Sequence, residues 1–251
     1  AGFDHTCAID GTGVVCWGYN GYGQTDPPLL IAPSRIASGF NHSCAIDESG
    51  VKCWGDDQYG QSTPPSLLSP LQVATGFDHS CAIDDTGVVC WGNDTFGQST
   101  APELVNPVQV EAGFDYSCAL DLIGVVCWGD VDDVGSSSIP TMENPQTVSL
   151  GFEHSCASYP STIICWGNDD SGQSSIPPLE KPKAVSNGFE HTCAITDTGA
   201  VCWGYDEFGQ STVPNLDRVE SISAGGDHSC AIDKTGVVCW GFNESGQASS
   251  P

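Results

Sequence analysis

The sequence predicts an all-β fold, a seven-bladed β-propeller, and three observations carry that prediction. A near-identical phrase, Gly-Phe-Asp-His-Ser-Cys-Ala-Ile-Asp-x-x-Gly-Val-Val-Cys-Trp-Gly, recurs seven times, starting near Gly2, Gly39, Gly76, Gly113, Gly151, Gly188 and Gly225. The copies are 37 residues apart with one interval of 38, a period typical of solenoids, propellers and arrays. No window shows the i, i+3, i+4, i+7 apolar spacing of a helix over three turns. Four short strands per unit, repeated seven times, suit radial closure. A linear solenoid is the alternative, but it would need distinct capping repeats at its ends, and none is visible.

Within a unit the hairpin comes first. Cys7-Ala8-Ile9-Asp10 and Gly13-Val14-Val15-Cys16-Trp17 flank the polar connection Gly11-Thr12, a two-residue hairpin signal. Pairing Asp10 with Gly13 sets Ile9 opposite Val14, Ala8 opposite Val15 and Cys7 opposite Cys16. Alternation makes the cysteine pair non-hydrogen-bonded, where Cα atoms approach to about 4.5 Å, within reach of a disulfide. A third strand is expected at the end of each linker, as in Ser34-Arg35-Ile36-Ala37, Leu71-Gln72-Val73-Ala74, Val108-Gln109-Val110-Glu111 and Glu220-Ser221-Ile222-Ser223. A fourth is expected around the Gly-Gln pair that follows each Trp-Gly.

The cysteines fall as Cys7 with Cys16, Cys44 with Cys53, Cys81 with Cys90, Cys118 with Cys127, Cys156 with Cys165, Cys193 with Cys202, and Cys230 with Cys239. One evenly spaced pair per unit reads as a disulfide framework in an oxidising compartment. Zinc ligands would lie two to four residues apart, which no pair does. The chain is therefore expected to be secreted or displayed at a cell surface.

Charge narrows the partners. Acidic residues number 32 against 6 basic ones, a formal net charge of −26. Such a surface repels phosphate backbones, so nucleic acid is not an expected partner. No run approaches the ~18 apolar residues of a membrane span, so membrane insertion is not expected either.

The phrase Gly-x-x-His-(Ser/Thr)-Cys-Ala-(Ile/Leu), followed by Gly-Val-Val-Cys-Trp-Gly-x-(Asn/Asp)-x-x-Gly-Gln, resembles the regulator-of-chromosome-condensation repeat over all seven units. The resemblance implies a seven-bladed propeller. It implies function less tightly, because that repeat serves nucleotide exchange on a small GTPase, β-lactamase inhibition and many secreted proteins. The acidic, cysteine-paired character is similar to the secreted branch rather than to the nuclear exchange factor.

The whole of residues 1–251 is expected to form one propeller domain, a portion of a longer protein. Seven hairpins are present but only six complete linkers, so about ten residues for one strand are missing. Trimming explains this; the sharper alternative is an empty strand site that accepts a segment of another chain.

Other repeated positions have structural readings beside functional ones. His5, His42, His79, His154, His191 and His228, with Tyr116 in the fourth copy, are expected to hold the turn of their own blade. The tryptophans after each second cysteine are expected to pack between blades. Asp4, Asn41, Asp78, Asp115, Glu153, Glu190 and Asp227 form one acidic set; Asn20, Asp57, Asp94, Asp169, Asp206 and Asn243 form another. Calcium is the cofactor these sets would suit, but Asp and Asn are also ordinary turn formers, and no Asp-x-Asp-x-Asp-Gly loop occurs. No cofactor and no metal are therefore expected.

The loop after Trp-Gly carries Tyr22, Tyr59, Phe96 and Phe208, replaced elsewhere by Val134, Ser171 and Ser245. The arc Tyr22, Tyr59 and Phe96 is the expected contact surface. The fourth repeat departs most, at Asp130–Ser136, and the fifth carries Ser158-Tyr159-Pro160-Ser161. No nucleophile elbow, phosphate loop or His-Glu-x-x-His occurs. The expected function is a non-enzymatic interaction or scaffold module whose partner is a protein or matrix component. Self-assembly into a filament by strand donation is the runner-up, and a polysaccharide-active enzyme with a central-channel site comes third.

Overall fold

The computed structural model describes residues 1–131 and 144–250. Each repeat folds into a hairpin, preceded in six of the seven by a short inner strand. The strands are β1 (His5–Asp10) and β2 (Gly13–Gly18); β3 (Arg35–Ser38), β4 (His42–Asp47) and β5 (Gly50–Gly55); β6 (Gln72–Thr75), β7 (His79–Asp84) and β8 (Gly87–Gly92). Then come β9 (Gln109–Ala112), β10 (Tyr116–Leu120) and β11 (Val125–Gly129); β12 (Thr147–Leu150), β13 (His154–Ser158) and β14 (Ile163–Gly167). The last two units are β15 (Ala184–Asn187), β16 (His191–Thr196) and β17 (Gly199–Gly204); β18 (Ser221–Ala224), β19 (His228–Asp233) and β20 (Gly236–Gly241). No helix occurs among the described residues.

The hairpin register is the one read from the sequence: Asp10 pairs with Gly13, Ile9 with Val14, Ala8 with Val15 and Cys7 with Cys16. Each blade is closed by its own disulfide, with Cα atoms 4.0–4.1 Å apart. Six sheets have three strands and the first, β1–β2, has two.

The expected fourth strand is absent from the described residues. The segment around each Gly-Gln is a tight turn instead. In the first repeat Gly23 sits at φ 80°, a conformation that favours glycine, while Asn20 Oδ1 accepts the Thr25 N–H and ties the loop to itself. A chain bound up in that way has no free edge to pair.

The core lies between blades. Trp54 packs with Cys7 and Ala45, against Val14, Cys16 and Ile36; Trp91 packs with Cys44 and Ala82, against Cys53. Trp128, Trp166 and Trp203 likewise pack near the disulfide of the preceding blade, the packing between blades expected of these side chains. The aromatic supplies the buried apolar area that a small blade lacks by itself.

The ring closes within one chain. Gly226 N–H donates to Gly2 O, as Phe40 N–H does to Gly76 O and Phe77 N–H to Gly113 O. Trp17 Nε1 and Thr6 Oγ1 both donate to Gln247 O across the seam. These backbones approach so closely that a Cβ on Gly39 would lie 2.4 Å from Gly76 O, so only glycine fits there.

Candidate functional site: a plugged channel between two unlike rims

All hairpins point the same way, giving the ring two rims. One rim carries the Gly-Phe-Asp-His turns and the loops after Trp-Gly. The other carries the hairpin turns and the linkers. Between them runs a central channel walled by the inner strands.

The histidines close their own turns, as where Gly2 N–H donates to His5 O, and their rings also hold neighbouring blades together. His5 Nε2 bonds Ser43 Oγ at 2.7 Å, His42 bonds Ser80, His79 bonds Ser117, His154 bonds Thr192, His191 bonds Ser229 and His228 bonds Thr6. The acceptor hydroxyls spend their own protons on a glutamine carbonyl, as in Ser80 to Gln61 O at 3.0 Å. The imidazole must therefore be the donor, which fixes the Nε2–H tautomer and leaves Nδ1 as a bare lone pair. Burial holds all six well below the ordinary value, to about 3 for His5, His42, His154 and His228 and about 4 for His79 and His191. They are neutral spacers. Tyr116 takes the same place, its hydroxyl donating to His154 O at 3.0 Å.

The buried glutamines are residues that sequence reasoning underrated. The Gln98 carbonyl accepts from Trp128 Nε1 and Ser117 Oγ; its side chain accepts from Phe96 N–H and donates to Asp115. Their invariant spacing behind Trp-Gly was the available signal. The aspartates that open five of the seven hairpin turns were also missed: Asp47 accepts from Ser49 with Oδ1 and from the Ile31 N–H of the linker with Oδ2. Those bonds hold the Asp47 carboxyl well below the usual range against the opposing effect of burial.

The two acidic sets divide. Asp57, Asp94, Asp169 and Asp206 accept backbone and hydroxyl protons of their own loops, as Asp94 does from Ser99 and Thr100. Among the described residues no group of three or more His, Cys, Asp or Glu is arranged to hold a metal ion. The other set crowds around the ring. Burial, with Asp56 and Asp115 nearby, pushes Asp78 up to about 6.

Inside that set lies a plug. Phe3, Phe40, Phe77, Phe114, Phe152 and Phe189 contact one another in sequence with ring centroids 4.0–4.4 Å apart, and Phe3 and Phe189 meet at 5.5 Å where the seventh repeat has Gly226. A Cβ on Gly226 would lie 2.6 Å from Phe3 O, so the seventh position has no room for a side chain. The plug turns the channel into a cup of about 1310 Å³ that opens at the hairpin-turn rim.

Tyr22, Tyr59 and Phe96 stand on the Phe-side rim with about half their surface exposed, at 52%, 47% and 51%. Their backbones are fixed by Gln24, Gln61 and Gln98, but their rings do not touch one another. Val134 and the rest of the fourth-repeat insertion from Asp132 to Ser136 lie outside the described residues. All six cations, Arg35, Lys52, Lys181, Lys183, Arg218 and Lys234, belong to the linkers and hairpins of the opposite rim.

These features define a disulfide-stapled β-propeller with a plugged axis and two chemically unlike rims. The sequence model of the regulator of chromosome condensation (RCC1) repeat matches residues 1–24, 34–61, 71–98, 183–210 and 219–247, more than half of the chain, and the chain belongs to that family. Among solved structures it is similar to the ectodomain of the Physcomitrella patens receptor kinase CR4, at 20% identity and TM-score 0.82, over 96% of this chain and 71% of that one. The CRINKLY WD40 ectodomain of the Arabidopsis thaliana receptor kinase ACR4 is 26% identical with TM-score 0.77, over 95% and 91%. Prp20p of Saccharomyces cerevisiae is 17% identical with TM-score 0.79, over 97% and 82%. No curated protein matches the sequence significantly.

Proposed function

We propose that the chain is a non-enzymatic, extracellular interaction module that presents the Phe-side rim to a basic protein surface. The observation that carries this is the pairing of exposed aromatics with uncompensated carboxylates. Tyr22, Tyr59 and Phe96 project from a rim without lysine or arginine, and aromatic anchors beside complementary charge are what protein partners use. Seven disulfides support an oxidising compartment, and two of the similar structures are receptor-kinase ectodomains. Prp20p, for its part, has binding properties toward Gsp1p and histones.

The second reading, a filament subunit joined by strand donation, draws on the two-stranded first sheet. Against it stands the seam between blades seven and one, which is bonded without help from a neighbour.

Two measurements test the proposal. Negative-stain microscopy of unreduced protein should show discrete rings; bead-like filaments would favour the subunit reading. A photoreactive benzoylphenylalanine at Tyr59 should form adducts with a protein of the surrounding extracellular material. The same probe at Thr86, on the other rim, should not trap that protein. Equal trapping at both sites, or none at Tyr59, overturns the proposal.

A further inference from the structure

The hairpin-turn rim breaks the seven-fold pattern more sharply than the aromatic rim does. At the linker position whose carbonyl accepts from the hairpin turn, the second to fourth repeats carry Ile31, Leu68 and Val105, while the sixth and seventh carry Glu180 and Asp217. At the position entering the inner strand, Leu71 and Val108 correspond to Lys183 and Glu220. In the turn itself, Leu122-Ile123 replaces the Asp85-Thr86 and Asp197-Thr198 of other blades. Leu122 N–H bonds Val105 O at 2.9 Å, so the apolar linker and apolar turn adjoin.

These side chains are not merely grazed by solvent. Val108 is 70% exposed and Leu122 and Ile123 are each 76% exposed. Single apolar side chains on a surface need no explanation, but a contiguous set on one arc of a symmetric frame does.

The arc leads into the cup. Leu71 and Val108 line its mouth, and Glu111 lies within it. Glu111 occupies the register opposite Cys118, where the other inner strands place Ala37, Ala74, Ser149, Ser186 and Ser223. It is the one carboxylate among the cup-lining residues, and Arg35, on the second blade, is the one cationic side chain. Neither belongs to an ion pair among the described residues. Among the described residues the Glu111 carboxylate accepts one hydrogen bond, from Gln109 Nε2 at 2.8 Å, and burial pushes the group up to about 7. A carboxylate drawn out of water is stabilised by a counter-charge, and no ion pair among the described residues gives Glu111 one.

Lys181, Lys183, Arg218 and Lys234 lie across the channel on the sixth and seventh blades. Three of those cations are already paired, Lys181 and Lys183 with Asp197 and Lys234 with Asp217. A basic ligand is drawn instead to the third and fourth blades, where Asp85, Glu103 and Glu111 stand outside every ion pair among the described residues.

We propose that this sector binds an extended, basic and apolar polypeptide segment of a partner protein. Its apolar side chains lie on Leu68, Leu71, Val105, Val108, Leu122 and Ile123, and a lysine or arginine reaches down the cup to Glu111. Two residues of strand separate Glu111 from the rim end at Gln109, about 7 Å, which a lysine side chain spans. This surface is separate from the aromatic rim and does not depend on that rim's partner.

The test uses the intact disulfide-bonded protein and three fluorescein-labelled hexapeptides, alternating lysine–leucine, lysine–serine and glutamate–leucine, read by anisotropy at physiological salt. The lysine–leucine peptide should bind at least about tenfold more tightly than either control. Val108→Glu and Ile123→Glu, both on exposed side chains, should each weaken it about tenfold although they add negative charge. Glu111→Ala, which installs the residue present at Ala37 and Ala74, should weaken it several-fold, and Leu29→Ser, at an exposed side chain outside both surfaces, should leave it unchanged. If the lysine–serine peptide binds equally well, or Val108→Glu binds lysine–leucine more tightly, attraction to a diffuse acidic surface explains the result and the proposal fails. Saturation of the site by hexylamine alone at the same affinity would likewise replace the polypeptide with a small amine and overturn it.

Discussion

At the scale of single residues, the frame depends on buried polar groups that bond across a blade boundary. Gln98 is the clearest case, because one bond ties it to its own loop and three reach the next blade. Gln98→Ala keeps the carbonyl but strands the Phe96 N–H and removes the donor from Asp115. Leaving such groups unpaired costs about 1–3 kcal/mol each, so thermal or urea unfolding should report a loss of about 2–4 kcal/mol. Gln98→Glu should be worse than Ala, since it sets a second carboxylate against Asp115, which burial and Asp130 already push up. A Glu variant as stable as wild type would show that this contact is not made. The periodicity marked Gln98 as a repeated residue, yet no local pattern told that its carbonyl serves a tryptophan 30 positions on. Interblade bonds of this kind leave no trace in a single repeat.

At the scale of the element, the hairpin was legible because two-residue loops fix register, and register alone places Cys81 against Cys90. The loop after Trp-Gly was not legible. Its short apolar and polar residues resemble a strand, and only the side-chain bonds from residues such as Asp94 reveal a turn. The disulfides close loops of about ten residues, for which the entropic estimate is about 2–3 kcal/mol. Replacing Cys81 and Cys90 together by alanine should therefore lower stability by about that amount and leave the propeller intact, as judged by far-ultraviolet circular dichroism and the urea midpoint. Loss of all structure from this single-blade change would mean that the pair nucleates more than its own hairpin. Trp128, packed near Cys81 and Cys90, is the cushion that makes the milder outcome expected.

At the scale of the whole molecule, seven-fold repetition announced a ring, but not what fills its axis or how it titrates. The phenylalanine plug needed the structure, because nothing in the repeat tells that Phe3 and Phe189 meet where the seventh unit has Gly226. Gly226→Phe should destabilise the ring by overpacking, typically about 1–3 kcal/mol, seen as a lower midpoint than for the wild type. The titration is more distinctive. Six histidines are held neutral by burial, with folded values about 3 to 4 against an ordinary value near 6.5. Their contribution is complete above about pH 6.5 and is lost as pH falls toward the folded values, because the unfolded chain then binds protons that the folded chain refuses. Asp78 and Glu111, raised to about 6 and about 7, act in the opposite sense and flatten part of the slope near neutrality. Six imidazoles outweigh them, so stability should fall steadily between pH 6.5 and 4, by on the order of 1.4 kcal/mol per pH unit for each net proton taken up. His79→Gln removes one titrating ring at a site where only the Ser117 bond must be replaced. Its urea-derived slope of stability against pH should fall by one proton over that window. An unchanged slope would mean that His79 is already charged in the ring, and that the blade-to-blade belt is held by imidazolium rather than by neutral histidine.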